Sequence, residues 1–114
     1  MLILRTEGRV HFANARRIGD EMWRLVDDAK PSVVVLDLRA VPDLEYTALM
    51  ALVEAKRQLQ SAGIELWLVA MTPRVFAVVK RSPLGADLAD GCAFPKLAQA
   101  VEAYTRGDVE AVRS

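Results

Sequence analysis

Hydrophobic positions in this 114-residue chain form short continuous runs separated by stretches with helical spacing. The continuous runs at residues 2–5, 32–38, 64–70 and 92–94 predict β-strands. The stretches between them repeat their apolar residues every three or four positions, which is typical of helices packed on a sheet. Alternating strands and helices predict an α/β fold, in which a mostly parallel sheet of four to five strands is flanked by about four helices.

Capping residues indicate where the predicted helices begin. Asn14 is a good cap for the first helix, Asp43 for the second, and Thr72 followed by Pro73 for the third. The predicted inner stripe of the first helix is Ala15, Ile18, Met22, Leu25 and Ala29. The predicted inner stripe of the second helix is Ala48, Leu52, Ala55, Leu59 and Ala62, with Gly63 as its stop.

The two ends of the chain are less regular. Residues 10–13 predict a second strand that forms a hairpin with the first across Gly8. The last helix is predicted to open at Pro95 and to bury Leu97, Ala100, Val101 and Tyr104. Helical periodicity is lost after Gly107. We therefore predict one domain over residues 1–106 and a frayed tail over residues 107–114.

Composition indicates a compact domain with no strong electrostatic bias. Hydrophobic residues make up 53% of the chain, charged residues 26%, and the formal net charge is zero. Zero net charge removes the attraction that draws basic proteins to nucleic acids and anionic membranes. The longest apolar runs are far shorter than the about 20 residues of a membrane helix. We therefore expect a cytoplasmic domain, with no nucleic-acid partner and no direct membrane insertion by this chain.

Chemically reactive residues are scarce. Cys92 is the only cysteine and His11 the only histidine, so neither a disulfide, a closed zinc site nor a Ser-His-Asp triad can be built within the chain. Cys92 lies in a short apolar run and is predicted to be a small buried residue. We expect a domain that is not an enzyme and that needs neither a cofactor nor a metal.

The continuous apolar run over residues 32–38 predicts a strand that is covered on both faces and therefore lies centrally in the sheet. Polar residues concentrate where this predicted central strand leads into the second helix. Asp37 ends the strand, and Asp43, Glu45, Tyr46 and Thr47 surround the start of the helix. The carboxyl ends of parallel strands are where ligands and regulatory groups usually lie. These residues are either ordinary capping and first-turn residues or a contact and switch surface. In the second interpretation, a phosphate on Thr47 would add roughly two negative charges at the helix start.

Several segments resemble a known family. They are Gly-Arg-Val-His-Phe-Ala-Asn at 8–14, Val-Val-Val-Leu-Asp-Leu-Arg-Ala-Val-Pro at 33–42, Glu-Tyr-Thr-Ala-Leu at 45–49, Gly-Ile-Glu-Leu-Trp-Leu-Val-Ala at 63–70 and Arg-Ser-Pro-Leu-Gly at 81–85. Nearly the whole chain resembles a STAS domain, the module shared by anti-sigma factor antagonists and the cytoplasmic tails of SulP-type anion transporters. The quoted segments are most similar to the bacterial transporter tails.

One motif departs from the family pattern. STAS switch domains carry Asp-Ser-Ser/Thr-Gly at the start of their second helix, where this chain has Glu45, Tyr46, Thr47 and Ala48. The acid is kept as glutamate, and Thr47 falls at the position of the phosphorylated hydroxyl. Tyr46 and Ala48 replace the small serine and the glycine. This departure weakens the antagonist interpretation more than the transporter interpretation.

The resemblance implies a regulatory or interaction domain of a SulP-type transporter of sulfate or another small anion, at the cytoplasmic face of the inner membrane. Its expected partner is the transporter's own membrane domain, a cytoplasmic regulatory protein or a second copy of itself. The alternative is a free-standing switch protein similar to anti-sigma factor antagonists and controlled by phosphorylation at Thr47. Both interpretations place the interaction surface at the second helix and its preceding loop.

Overall fold

The computed structural model describes residues 1–7, 12–86 and 91–113. Strands and helices alternate along this part of the chain, as the hydrophobic pattern predicted. They are β1 (Leu2–Glu7), α1 (Phe12–Ala29), β2 (Val33–Ala40), α2 (Tyr46–Ser61), β3 (Glu65–Val69), α3 (Pro73–Lys80), β4 (Ala93–Phe94) and α4 (Leu97–Arg113).

The four strands form one parallel sheet in the order β1-β2-β3-β4. Val35 of β2 is in register with Ile3 of β1 on one side and Trp67 of β3 on the other. Residues 33–38 are all buried, so β2 is covered on both faces. The continuous apolarity of this strand therefore marked the centre of the sheet correctly.

Two apolar clusters cover the two faces of the sheet. On one face, Val34 and Leu36 of β2 belong to a large cluster with residues of α1, α2 and α3. On the other face, Val33 and Val35 pack with Trp67 of β3 and Ala100 of α4. The Trp67 ring centroid lies 5.3 Å from that of Phe94 and 6.5 Å from that of Tyr104. Cys92, predicted to be buried, is only partly buried beside this second cluster.

Helix α1 begins earlier than predicted. Phe12 and Ala13 are helical, so the predicted strand over residues 10–13 is wrong at these two positions, and Asn14 lies inside the helix instead of capping it. A four-residue segment such as Val-His-Phe-Ala is too short for its pattern to separate a strand from a helix, and alanine favours the helix. The remainder of that strand and its hairpin across Gly8 lie outside the described residues. From Arg16 onward, where the side chains of this helix are described, Met22 and Val26 are buried, whereas Ile18 and Leu25 of the predicted stripe are partly buried and Ala29 is exposed.

Helix α2 begins at Tyr46, and the predicted stripe is confirmed at Ala48 and Leu59 but not at its other three positions. Ala48, Leu49, Val53 and Leu59 are buried, whereas Leu52 and Ala55 are only partly buried and Ala62 is exposed. The buried face is rotated toward Leu49 and Val53. At the end of the helix Gly63 adopts a φ of 76°, a conformation that suits glycine, so its predicted role as the stop is confirmed.

The third helix follows its predicted start, whereas the fourth begins at Leu97, two residues after the predicted opening at Pro95. Thr72 caps α3, because its Oγ1 accepts a hydrogen bond from the Val75 amide at 3.2 Å, and Pro73 is the first helical residue. In α4, Ala100 is buried but Val101 is 40% exposed, contrary to prediction. The backbone of α4 continues past Gly107 to Arg113, although the sequence predicted fraying there.

Candidate interaction surface at the start of α2

Two loops meet at the carboxyl edge of the sheet, because β2 and β3 are parallel and both end there. One loop leads from β2 into α2, and the other leads from β3 into α3. Nε of Arg74, in the first turn of α3, lies 3.8 Å from Oδ1 of Asp43. The starts of the two helices are therefore neighbours. We call the group formed by Asp43, Glu45, Tyr46 and Thr47 the α2-start surface.

Asp37 does not belong to this surface, which corrects the sequence-based prediction. Its side chain is buried, with 1% of the residue exposed. Arg5 donates from Nε to Oδ2 at 3.0 Å and places its Nη2 3.0 Å from the same oxygen, and the Arg39 amide donates to Oδ1 at 3.0 Å. A buried carboxylate requires such partners to offset its lost hydration. Asp37 therefore joins β1 to the end of β2 inside the protein.

Neither of the two acids that precede α2 caps the helix with its side chain. Oδ1 of Asp43 accepts a hydrogen bond from the Leu44 amide at 3.0 Å, and Leu44 itself is buried. The residue at the cap position is Glu45, in an extended conformation, and its side chain makes no capping hydrogen bond. The predicted capping role of Asp43 is therefore wrong, since the helix begins two residues later than that role requires.

Tyr46 and Thr47 occupy the first turn of α2 and face outward. Tyr46 is 71% exposed, so most of its aromatic ring is accessible to solvent. Thr47 is also exposed, and its hydroxyl makes no hydrogen bond within the part of the chain that the structure describes. Ala48, the next residue, is buried and faces the sheet. The polar residues of this turn are thus accessible while its apolar residue anchors it.

Arg74 is the neighbour that sequence reasoning did not join to this surface. Its side chain is 76% exposed, and its distance to Asp43 is that of a weak surface ion pair. The sequence signal was its position directly after Thr72 and Pro73, because residues that follow neighbouring parallel strands meet at one edge. An exposed aromatic ring, carboxylates, a hydroxyl and a guanidinium suit contact with another protein.

The described residues contain neither a metal cluster nor a membrane-spanning helix. Nowhere in the ranges 1–7, 12–86 and 91–113 do three or more His, Cys, Asp or Glu side chains come together as a metal would require. Over the same ranges, none of the helices is long and apolar enough to cross a bilayer. The α2-start surface is thus described by its shape and its charges.

Comparison with known proteins identifies the family. The family model of the STAS domain matches residues 1–102. The chain belongs to the STAS domain family. Its α/β sheet of four parallel strands is the STAS fold, as the sequence resemblance implied. A search of curated proteins gave no match.

Solved structures similar to this STAS domain include domains of transporter proteins and an anti-sigma factor antagonist. A sulfate transporter family protein from Wolinella succinogenes superposes with a TM-score of 0.80 and 25% identity, covering 96% of this chain and 87% of that one. The STAS domain of a SulP transporter from Vibrio cholerae has a TM-score of 0.76 and 20% identity, with coverages of 96% and 84%. The anti-sigma factor antagonist SpoIIAA, in its unphosphorylated form, has a TM-score of 0.74 and 14% identity, with coverages of 92% and 87%.

Proposed function

We propose that this STAS domain is a non-catalytic regulatory and interaction domain of a SulP-type transporter of sulfate or another small anion, on the cytoplasmic side of the membrane. The observation that carries the proposal is the similarity to the Wolinella succinogenes sulfate transporter family protein, at 25% identity over 96% of this chain. The Vibrio cholerae SulP domain supports it through the fold.

The α2-start surface is the proposed point of contact. It displays an aromatic ring, that of Tyr46, which is 71% exposed. Tyrosine is among the residues that contribute most to protein–protein binding, because it buries a large rigid area and keeps one polar atom. The partner is the transporter's own membrane domain, a cytoplasmic regulatory protein or a second copy of the domain. In this proposal, the surface acts through shape and charge, without a phosphorylation cycle.

A second candidate function is a free-standing switch protein, similar to anti-sigma factor antagonists and controlled by phosphorylation at Thr47. Two observations favour it. The fold also matches SpoIIAA with a TM-score of 0.74. Thr47 is exposed in the first turn of α2, where a kinase would reach its hydroxyl. A phosphate there would lie near the helix amino end and close in sequence to the carboxylate of Glu45.

Binding by charge-reversal variants tests the first proposal. The immobilised domain is incubated with detergent-solubilised membranes of its native host and, separately, with the cytosol. We expect wild type to retain a SulP-type membrane domain, and Glu45→Lys and Tyr46→Ala to lose it. Glu54→Lys is the matched control, because Glu54 is exposed on the same helix and lies outside the α2-start surface. Equal loss with Glu54→Lys would contradict the role of the α2-start surface. Retention by wild type of neither a membrane domain, a cytosolic protein nor a second copy of the domain would contradict the proposal.

Phosphorylation separates the two functions. The domain is incubated with host cytosol and labelled ATP, and Thr47→Val is compared with wild type. The transporter proposal expects no label on Thr47 and unchanged partner binding by Thr47→Val. Two results together would favour the switch protein instead: wild type is labelled but Thr47→Val is not, and Glu45→Lys binds the partner as well as wild type does. The parent gene gives an independent test, since a SulP-type transporter encodes a multi-span membrane segment.

A further inference from the structure

An apolar cavity of about 70 Å³ lies between α1, α2 and the sheet. Its floor is formed by buried residues of β2, among them Val34 and Leu36. Five partly buried residues of the two helices also line it, namely Ile18 and Gly19 of α1 and Ala51, Leu52 and Ala55 of α2. We infer that its mouth lies at the three small residues among them, Gly19, Ala51 and Ala55. Every lining residue is apolar or glycine. The cavity is thus open between the helices and closed at the sheet.

The apolar lining and the small volume determine which kind of ligand the cavity can bind. A buried water needs two to four polar partners, and no side chain of this lining carries a hydrogen-bonding group. The same argument excludes a charged or strongly polar ligand inside the cavity. The volume is about half of the roughly 150 Å³ of an apolar cavity that admits benzene, so an aromatic ring does not fit. A slender hydrocarbon chain that enters through the mouth does fit.

Gly19 supports a use for this opening. It lies in the middle of α1, where glycine destabilises a helix relative to alanine. A Cβ built at Gly19 meets nothing within 4 Å, so no close approach requires a glycine here. Its φ is not positive, so the backbone does not require one either. The remaining consequence of this glycine is that the mouth of the cavity stays wide.

We propose that the cavity binds the hydrocarbon end of a straight-chain amphiphile taken up from solution. The chain enters beside Gly19 and between Ala51 and Ala55, and its last carbons contact Val34 and Leu36. The polar end stays outside in water, because the lining offers it no partner. Binding replaces water contacts of the chain with apolar contacts, which is the source of the affinity.

Methyl NMR with two six-carbon alcohols tests the proposal. The labelled domain is titrated with 1-hexanol, which is a straight chain, and with cyclohexanol, which is a ring. We expect saturable shifts of the Ile18 and Leu52 methyl signals with 1-hexanol only, because both side chains line the cavity. The methyl signals of Val69, on the other face of the sheet, should not move. Absence of saturable shifts up to the solubility limit, or equal binding of both alcohols, would overturn the proposal.

Cavity-filling variants locate the binding. Ala55→Leu should weaken 1-hexanol binding about tenfold or more by occupying the mouth. Ala98→Leu is the matched control, since Ala98 is exposed on α4 and does not line the cavity. If Ala55→Leu fails to fold, Gly19→Ala replaces it, and it should weaken binding severalfold. If Ala55→Leu folds and binds 1-hexanol as well as wild type does, or if Gly19→Ala does so in its place, the proposal is overturned. Wild type is also sedimented with phosphatidylcholine vesicles. If it cosediments with them and the cavity-filling variant does not, the assignment to a ligand taken up from solution is overturned.

Discussion

At the scale of single residues, the ion pair between Arg5 and Asp37 is a polar contact that we expect to stabilise the fold, because its carboxylate is buried. The Asp37 side chain is 2% exposed and that of Arg5 is 48% exposed. We expect Arg5→Ala to lower the free energy of unfolding by about 3 kcal/mol, because it leaves a buried carboxylate without its cation. Asp37→Ala should lower the free energy of unfolding by about 2 kcal/mol. It leaves the Arg39 amide without its acceptor, whereas the Arg5 guanidinium can be hydrated by solvent.

Urea denaturation of the two single variants and the double variant measures this pair. The double variant should be less destabilised than the sum of the single variants, by about 1–3 kcal/mol. Arg5→Lys is the conservative control, because it keeps the charge and loses the planar guanidinium. Additive costs, or a loss below about 0.5 kcal/mol for Arg5→Ala, would show that the pair does not stabilise the fold.

Local sequence predicted some single residues well and others badly. Thr72 was predicted as a cap because its cap signal, a threonine directly before Pro73, lies within two adjacent residues. Asp37 was misplaced on the surface because its partner, Arg5, is 32 residues away in the chain and becomes a neighbour only when β1 pairs with β2. Capping is a local property, whereas the pairing of a buried charge depends on the tertiary fold.

At the scale of elements, the orientation of α2 decides which of its leucines stabilise the protein. Leu49 is 2% exposed, whereas Leu52 is partly buried at the cavity. We expect Leu49→Ala to lower the free energy of unfolding by about 2–5 kcal/mol through loss of burial and creation of a cavity. Leu52→Ala should cost about 1–2 kcal/mol, because less apolar surface is removed from contact.

Thermal and urea melts of these two variants compare the same substitution on two faces of one helix. The pair controls for helix propensity, because leucine is replaced by alanine in both. An equal or larger cost for Leu52→Ala would mean that the face predicted from the sequence, and not the face in the structure, packs on the sheet.

Whether a segment forms a strand or a helix was predictable from the sequence. Which face of a helix is buried was less predictable. The order of strands and helices follows from the alternation of continuous and periodic apolar segments, which held for every crossover from β2 onward. The phase of α2 did not follow, since Ala48, Leu49, Leu52 and Val53 are consecutive apolar pairs that allow two adjacent stripes. The packing of α2 against α1 and against the sheet decides between the two stripes. The periodicity of the sequence does not show either of these contacts.

At the scale of the whole molecule, the two faces of the sheet differ in their cover. Residues of α1, α2 and α3 share the larger cluster, whereas α4 is the helix that packs on the smaller cluster within the described residues. The continuous apolarity of β2 showed that both faces are covered. It did not show which helix covers which face, because that depends on the direction of each crossover.

The unequal cover predicts how the domain responds to truncation. A chain that ends at Lys96 loses all of α4 and exposes Val33, Val35 and Trp67 to water. Full exposure of such side chains costs about 1.5–3 kcal/mol each. Their sum is comparable to the 5–15 kcal/mol that holds a typical domain together. We therefore expect this chain to show no cooperative urea transition in the fluorescence of Trp23 and Trp67, because it is already unfolded before urea is added.

A chain that ends at Arg106 is the matched control, and it tests the domain boundary. It keeps Leu97, Ala100, Ala103 and Tyr104, the α4 residues of the smaller cluster. Removal of residues 107–114 should therefore change the free energy of unfolding by about 1 kcal/mol or less. A loss above about 2 kcal/mol would move the boundary of the folding unit beyond residue 106. Cooperative unfolding of the Lys96 chain at the wild-type urea midpoint would mean that the smaller cluster contributes little, and that the face covered by α1, α2 and α3 alone stabilises the fold.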